Sequence, residues 1–245
     1  MLLITKRKKK IREGIHEEVR IKGPVVVEAY PWLVIYLIKK ILFSKKSKYQ
    51  KIDVVILEPE GKSLILDGDI QFTENKEFTY HEPLVFVPML THPNPKKILI
   101  LGGGDCCVLE EVLKWKPREV TIVEIDEDVI NVVKKFFPKK GKLLKRKNVK
   151  LVIGDGRKFV ERCREKFDVI ITDLTVPLEG GPSTSLFTLE FYKSVRKILK
   201  RRGVFTTYVP FYKKEPFLTI HNTIKRVFKV CRPYLFSHPE EGGFP

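Results

Sequence analysis

The sequence predicts an α/β protein, with a mostly parallel sheet between helices and a small antiparallel β unit before it. From residue 97 onward, short apolar strand patterns alternate with amphipathic helix patterns, the order typical of a parallel sheet. Before residue 78, strand patterns follow one another around the turn dipeptide Asp67-Gly68, which is typical of antiparallel hairpins. The 245 residues are enough for both units.

The predicted elements follow in chain order. Residues 1–23 form a basic N-terminal arm that we expect to be loosely ordered, residues 24–78 the small β domain, and residues 79–245 the larger domain. Strands are predicted at 52–57, 63–66, 70–72, 97–101, 120–125, 149–153, 167–172 and 203–208. Helices are predicted at 80–90, 106–114, 127–137, 156–163, 189–199 and 215–228.

The net charge of +17 raises the question of a polyanionic partner. The basic residues cluster at 6–12, 134–150 and 197–202, without interleaved aromatic residues or a recognition-helix pattern. A solvated, lysine-rich surface explains the charge better than a specific nucleic-acid partner.

Residues 25–43 form the most apolar run, which is interrupted by Glu28, Lys39 and Lys40. Its uncharged part is shorter than the roughly 20 apolar residues that cross a bilayer, so we expect a packed or interface-forming segment and no membrane partner. An amphipathic membrane contact is the alternative. The four cysteines have no C-x-x-C spacing and no signal-peptide pattern precedes them, which predicts reduced thiols and a cytoplasmic location. The five histidines are scattered, so no metal site is predicted.

Residues 98–105, ILILGGGD, carry the strongest functional signal. Glycines after a buried strand let the backbone approach a ligand, but Asp105 would repel a pyrophosphate and attract an ammonium group. Glu124 ends the next strand, where a carboxylate holds ribose hydroxyls. A dinucleotide template starting at Gly102 requires a glycine where the chain has Cys107. The loop therefore favours an adenosine ligand with a cationic tail.

Acidic residues follow four of the predicted parallel strands, namely Asp105, Glu124, Asp155 and Asp173. The carboxyl ends of parallel strands share one edge of a sheet, so one extended ligand can contact all four. We expect the base near Asp155-Gly156 and the cationic tail between Asp105 and Asp173. For Asp155, an N-cap of the following helix is the alternative.

Further motifs make the chain recognisable. They are SKKSKYQ at 44–50, Leu66-Asp67-Gly68, Gln71, Tyr80-His81-Glu82, THPNPKKILILGGGD at 91–105, VEIDEDV at 123–129, GDG at 154–156, and Asp173 followed by Gly181-Pro182 and Leu186-Phe187-Thr188. Together they closely resemble the spermidine synthase family of polyamine aminopropyltransferases, over residues 43–212. The resemblance implies a Rossmann-like, class I methyltransferase-type fold for the larger, catalytic domain.

The resemblance also implies an activity. Such enzymes move the aminopropyl group of decarboxylated S-adenosylmethionine, a co-substrate, to a di- or triamine such as putrescine, agmatine or spermidine. They release methylthioadenosine, use neither metal nor cofactor, and form homodimers or homotetramers. The implied donor-binding residues are Gln50, Gln71, His81, Gly102, Gly104, Asp105, Glu124, Asp155 and Gly156, with Pro182 and Leu186 near the adenine. The implied catalytic residues are Asp173, as a base, and Tyr80, and the acceptor site adds Val176 and Tyr208 to these two.

The sequence departs from the family pattern mainly in the acceptor half. Val176 stands where a second acid is common, and Tyr208 where a glutamine is frequent. Relatives also continue beyond the element that residues 241–245 resemble, so we expect the last strand pair to be incomplete. These departures keep two alternatives open, an S-adenosylmethionine-dependent methyltransferase and a non-catalytic nucleoside-binding paralogue.

Overall fold

A computed structural model describes residues 5–11, 14–20, 24–29, 33–175, 183–209 and 214–236. They form a two-stranded hairpin, a five-stranded antiparallel sheet and a five-stranded parallel sheet. The predicted fold class is therefore confirmed. In these ranges, no helix has the length and apolar content that a membrane span requires.

Up to residue 73, the elements that the structure describes are all strands. They are β1 (Thr5–Ile11), β2 (Gly14–Arg20), β3 (Val25–Ala29), β4 (Leu33–Lys46), β5 (Lys51–Glu58), β6 (Gly61–Leu66) and β7 (Asp69–Thr73). Strands β3 to β7 are antiparallel neighbours in chain order. One face of their sheet buries Tyr36, Val55 and Leu57.

Strands β1 and β2 both lie within residues 1–23, the segment predicted as a loosely ordered basic arm. Strands β1 and β2 pair along their whole lengths, and the register places Arg7 opposite Glu18 and Lys8 opposite Glu17.

The larger part alternates strands and helices as predicted. Its elements are α1 (Phe78–Thr91), β8 (Lys97–Gly102), α2 (Cys107–Lys114), β9 (Glu119–Glu124), α3 (Glu127–Phe136), α4 (Pro138–Gly141), β10 (Val149–Ile153), α5 (Gly156–Arg162), β11 (Phe167–Asp173), α6 (Leu189–Ile198), β12 (Leu199–Thr207) and α7 (Lys214–Lys225). The strand order is β10-β9-β8-β11-β12 with every neighbouring pair parallel. One face of the sheet packs against residues of α1 to α3, such as Leu84, Val108 and Val129, and the other against residues of α5 to α7, such as Val160, Phe191 and Ile220.

The chain reverses its direction of winding between β8 and β11, which lie side by side with Gly102 opposite Asp173. Such a switch point opens a crevice at the carboxyl ends of the strands. Gly102 has φ +81°, and a Cβ atom there would lie 2.0 Å from the carbonyl oxygen of Asp173. The backbone N–H of Gly103 donates a hydrogen bond to that same oxygen at 3.1 Å. Only glycine allows this closure.

We expect Gly102→Ala to destabilise the protein by at least ~2 kcal/mol, because the added methyl group meets fixed backbone and Ala disfavours positive φ. The matched control is Gly154→Ala, since a Cβ atom at Gly154 would meet nothing within 4 Å. Urea unfolding of both variants measures the difference. Equal stabilities would contradict the assignment of Gly102 as a structural requirement.

Candidate active site

A cavity of about 1110 Å³ opens at the switch point, and both sheets contribute to it. Twelve of the site residues expected from the sequence line it, namely Gln50, Gln71, Tyr80, Gly102, Gly104, Asp105, Glu124, Asp155, Gly156, Asp173, Leu186 and Tyr208. His81 lies behind this wall, with its ring next to Asp105. Val176 and Pro182, the other two expected residues, lie outside the described residues.

Asp105 and Asp173 face each other across the loop that follows β8. Asp105 Oδ1 accepts a hydrogen bond from the backbone N–H of Cys107 at 2.8 Å. His81 Nε2 lies 3.8 Å from Asp105 Oδ2. One ring nitrogen of His81, one carboxylate oxygen of Asp105 and one of Asp173 all lie within 4.8 Å of one another. Two carboxylates this close attract a cation strongly.

Asp173 is hydrogen-bonded to Tyr80 and has a raised pKa. Its Oδ1 accepts a hydrogen bond from the Tyr80 hydroxyl at 3.2 Å. Burial raises the pKa of Asp173 well above its usual range, and the negative charge of Asp105 raises it further. Burial, followed by the charge of Asp173, raises the pKa of Tyr80 in turn, so the phenol remains a hydrogen-bond donor.

The two oxygens of Glu124 are held by backbone amides. Oε2 accepts a hydrogen bond from Gly104 N–H at 3.1 Å, and Oε1 accepts one from Asp126 N–H at 2.8 Å. A Cβ atom at Gly104 would lie 2.8 Å from Glu124 Oε2, so glycine is needed for this contact too. Burial raises the pKa of Glu124 to about 7. Each oxygen keeps a second lone pair for a ligand hydroxyl.

His81 is fixed by α1 itself. Its Nδ1 lies 2.7 Å from the backbone carbonyl oxygen of Glu77. Because a carbonyl oxygen only accepts hydrogen bonds, Nδ1 carries a hydrogen and donates a hydrogen bond to it. Glu77 in turn accepts a hydrogen bond from Lys140 Nζ at 2.6 Å. A carboxylate oxygen of Glu77, a ring nitrogen of His81 and the sulfur of Cys107 also lie within 4.8 Å of one another. The Lys140 ammonium beside Glu77 would repel a metal cation at this place. No motif in the sequence predicted the role of Lys140, which lies in α4.

Asp155 combines its two expected features. Its Oδ1 accepts hydrogen bonds from Arg157 N–H at 2.8 Å and Lys158 N–H at 3.2 Å, so Asp155 is the N-cap of α5 while it lines the cavity. A Cβ atom at the neighbouring Gly156 would lie 3.7 Å from Leu101 and 3.8 Å from Leu186, so this end of the cavity is apolar. An aromatic base suits that surface.

Sequence reasoning missed Tyr234 and Phe236, which lie near Tyr80 with the expected Tyr208. The Tyr80 ring lies 5.5 Å from the Tyr208 ring and 6.1 Å from the Phe236 ring, centroid to centroid. The hydroxyl of Tyr234 donates a hydrogen bond to the carbonyl oxygen of Pro83 at 3.2 Å. Residues 231–236 have no regular secondary structure, so no periodic pattern could predict their place at the cavity.

The fold and the site define a Rossmann-like α/β protein with an acid-lined cavity at the carboxyl ends of its parallel strands. Residues 77–243 match the spermine/spermidine synthase domain, and residues 28–74 match the spermidine synthase tetramerisation domain. The chain therefore belongs to the spermine/spermidine synthase family. Its curated relatives are polyamine aminopropyltransferases, which places the chain in that class of enzymes.

Two of those relatives show the extent of the similarity. A polyamine aminopropyltransferase of Caldicellulosiruptor saccharolyticus is 41% identical over 81% of this chain and 72% of its own length. One of Sulfurisphaera tokodaii is 46% identical over 79% of this chain and 65% of its own length.

Two solved structures are similar in fold. The crystal structure of a spermidine synthase with the transition-state analogue AdoDATO has a TM-score of 0.79 and 35% identity, over 84% of this chain and 72% of that chain. The spermidine synthase of Thermotoga maritima has a TM-score of 0.78 and 34% identity, over 85% and 72%.

We expect Asp105→Asn to lower the pKa of Asp173, because it removes the negative charge that opposes ionisation of Asp173. Carboxyl ¹³C NMR titration of the aspartate-labelled protein measures this pKa. Asp155→Asn is the control, since that carboxylate caps α5 and does not contribute to the Asp173 shift. An unchanged value in Asp105→Asn would mean that the charge of Asp105 does not raise the pKa of Asp173.

Proposed function

We propose that this protein transfers the aminopropyl group of decarboxylated S-adenosylmethionine to a di- or triamine and releases methylthioadenosine. The observation that supports this proposal best is the arrangement of the buried Asp105 and Glu124 and the partly buried Asp173 around one cavity. Cations are needed to balance these acids, and both substrates of this reaction are cations.

The proposed donor fits the cavity along its length. Glu124 accepts hydrogen bonds from the ribose hydroxyls, and the apolar end near Gly156 and Leu186 receives the adenine. The free ammonium of the aminopropyl group lies between Asp105 and Asp173. Ordinary S-adenosylmethionine carries a carboxylate at this end, which Asp105 repels, so decarboxylation of the donor is what the site selects.

The proposed chemistry is a displacement. The acceptor nitrogen attacks the aminopropyl carbon bonded to the sulfonium sulfur, and the electrons of the breaking C–S bond return to sulfur, which leaves in methylthioadenosine. Asp173 takes a proton from an ammonium group of the acceptor, and the neutral amine that results attacks with its lone pair. Tyr80 orients that carboxylate through the 3.2 Å hydrogen bond. The cavity holds the reactants in line, which supplies much of the rate.

A single-turnover assay tests this function. The protein is mixed with decarboxylated S-adenosylmethionine and, in turn, putrescine, agmatine and spermidine, and methylthioadenosine release is measured. We expect release that requires an amine and falls at least ~100-fold in Asp173→Asn, because the general base is lost. Glu165→Gln, an exposed carboxylate away from the cavity, is the matched control and is expected to keep full activity.

The outcomes separate the alternatives. Release without dependence on Asp173 would remove Asp173 from the mechanism. Methyl transfer from S-adenosylmethionine would indicate a methyltransferase, and tight binding of methylthioadenosine without turnover would indicate a non-catalytic paralogue.

We further propose a homodimer or homotetramer that uses the N-terminal sheet. Residues 28–74 match a tetramerisation domain, and Ile35 and Ile41 of β4 leave 39% and 55% of their surfaces exposed. Apolar residues on an exposed sheet face favour association. Sedimentation velocity is expected to show an oligomer that Ile41→Lys weakens; a monomer at micromolar concentration would contradict this proposal.

A further inference from the structure

We propose that Asp126 is a positioning residue, which turns the side-chain amide of Gln50 so that its carbonyl oxygen faces the bound nucleoside. The inference rests on the proposed function in one respect, namely that the cavity binds an adenine nucleoside. It assigns to Asp126, which does not line the cavity, a part in ligand recognition through Gln50.

Asp126 is 2% exposed, and its two carboxylate oxygens have different partners. Oδ1 accepts a hydrogen bond from Asp128 N–H at 3.1 Å and so caps α3. Oδ2 accepts hydrogen bonds from the Ser47 hydroxyl at 2.6 Å and from Gln50 Nε2 at 3.1 Å. One oxygen thus serves the helix and the other holds the loop between β4 and β5.

The chemistry of the carboxylate decides which end of the Gln50 amide enters the cavity. An ionised carboxylate only accepts hydrogen bonds, so Gln50 has to turn its NH₂ group toward Asp126. The carbonyl oxygen Oε1 lies at the other end of the planar amide and is left for the cavity that Gln50 lines. Gln50 is therefore presented to the ligand as an acceptor.

Gln50 and Glu124 together present a row of hydrogen-bond acceptors to the cavity. The backbone N–H of Asp126 donates to Glu124 Oε1 at 2.8 Å, so Gln50 and Glu124 are held by the same residue on one side of the cavity. Ribose hydroxyls are hydrogen-bond donors that suit such a row. The Ser47 oxygen accepts hydrogen bonds from Tyr49 N–H at 3.0 Å and Gln50 N–H at 3.1 Å, which leaves its own proton for Asp126.

Asp126→Asn tests the inference because it replaces the hydrogen-bond acceptor Oδ2, which faces Gln50, with an NH₂ donor. Asparagine is an equally good N-cap, so its Oδ1 stays with Asp128 N–H and its NH₂ group takes the place of Oδ2. Gln50 then has to turn its carbonyl oxygen toward Asn and present NH₂ to the ribose. We expect the affinity for methylthioadenosine, measured by titration calorimetry, to fall about tenfold, as for a lost hydrogen bond.

The double variant Asp126→Asn with Gln50→Glu is the decisive control. The amide of Asn donates to one oxygen of Glu, and the other oxygen faces the ribose as an acceptor again. We expect it to bind methylthioadenosine within about threefold of the wild type, whereas Gln50→Glu alone places two carboxylates together and binds weakly.

In turnover, KM for the donor should rise in each single variant with kcat nearly unchanged.

The remaining outcomes each decide the matter. If the double variant binds as weakly as Asp126→Asn, or if Asp126→Asn binds as well as the wild type, Asp126 does not act through Gln50. Should Asp126→Asn fail to fold, Ser47→Ala, which leaves the cap intact, is expected to weaken binding two- to threefold by loosening the same loop, and no change would overturn the inference. Wild-type protein that binds methylthioadenosine without transfer would refute the proposed activity alone, whereas failure to bind it would refute both.

Discussion

The close approach of two strand ends is the constraint on which the site depends. The backbone of Gly102 and Gly103 closes onto the carbonyl oxygen of Asp173, and a side chain at Gly102 would prevent it. This contact sets the distance between the first and fourth parallel strands at their carboxyl ends. Because Asp105 follows the glycines directly, the same contact places its carboxylate opposite Asp173. Packing of uncharged backbone therefore assembles a pair of charges that repel each other.

That repulsion has to be offset inside the protein. Backbone N–H groups contribute to it, since Asp105 accepts from Cys107, and Glu124 accepts from both Gly104 and Asp126. The pKa values of Glu124 and Asp173 nevertheless stay raised, first by burial and then by the charges of neighbouring acids. A buried acid with a raised pKa gains most from a nearby cation. Part of the free energy that folding spends on these acids is thus regained when a cationic ligand binds.

The larger domain was predictable from the sequence because apolar residues follow one pattern in its strands and another in its helices. Buried strands such as β8 are short and continuously apolar, and the acids that follow them mark the edge of the sheet. Strand β4 was not predicted, since register shifts between Ile38 and Lys40 and between Ile41 and Phe43 interrupt its alternation. The contact of Ser47 with Asp126 joins residues 79 positions apart, so no local pattern announces it.

The cavity wall that the small sheet supplies depends on contacts with the larger domain. Gln50 and Gln71 reach the cavity from this sheet, whereas the acids come from the parallel sheet. Lys45, near the end of β4, bonds to Asp128 at 2.7 Å, and Ser47 follows one residue after that strand ends. Both contacts are made with the first turn of α3 and its cap. Because β4 also carries the exposed Ile41, the surface proposed for association and the wall of the proposed nucleoside pocket belong to one continuous strand and its loop. A change in the packing of that strand therefore acts on Gln50 first, through the loop that Asp126 holds.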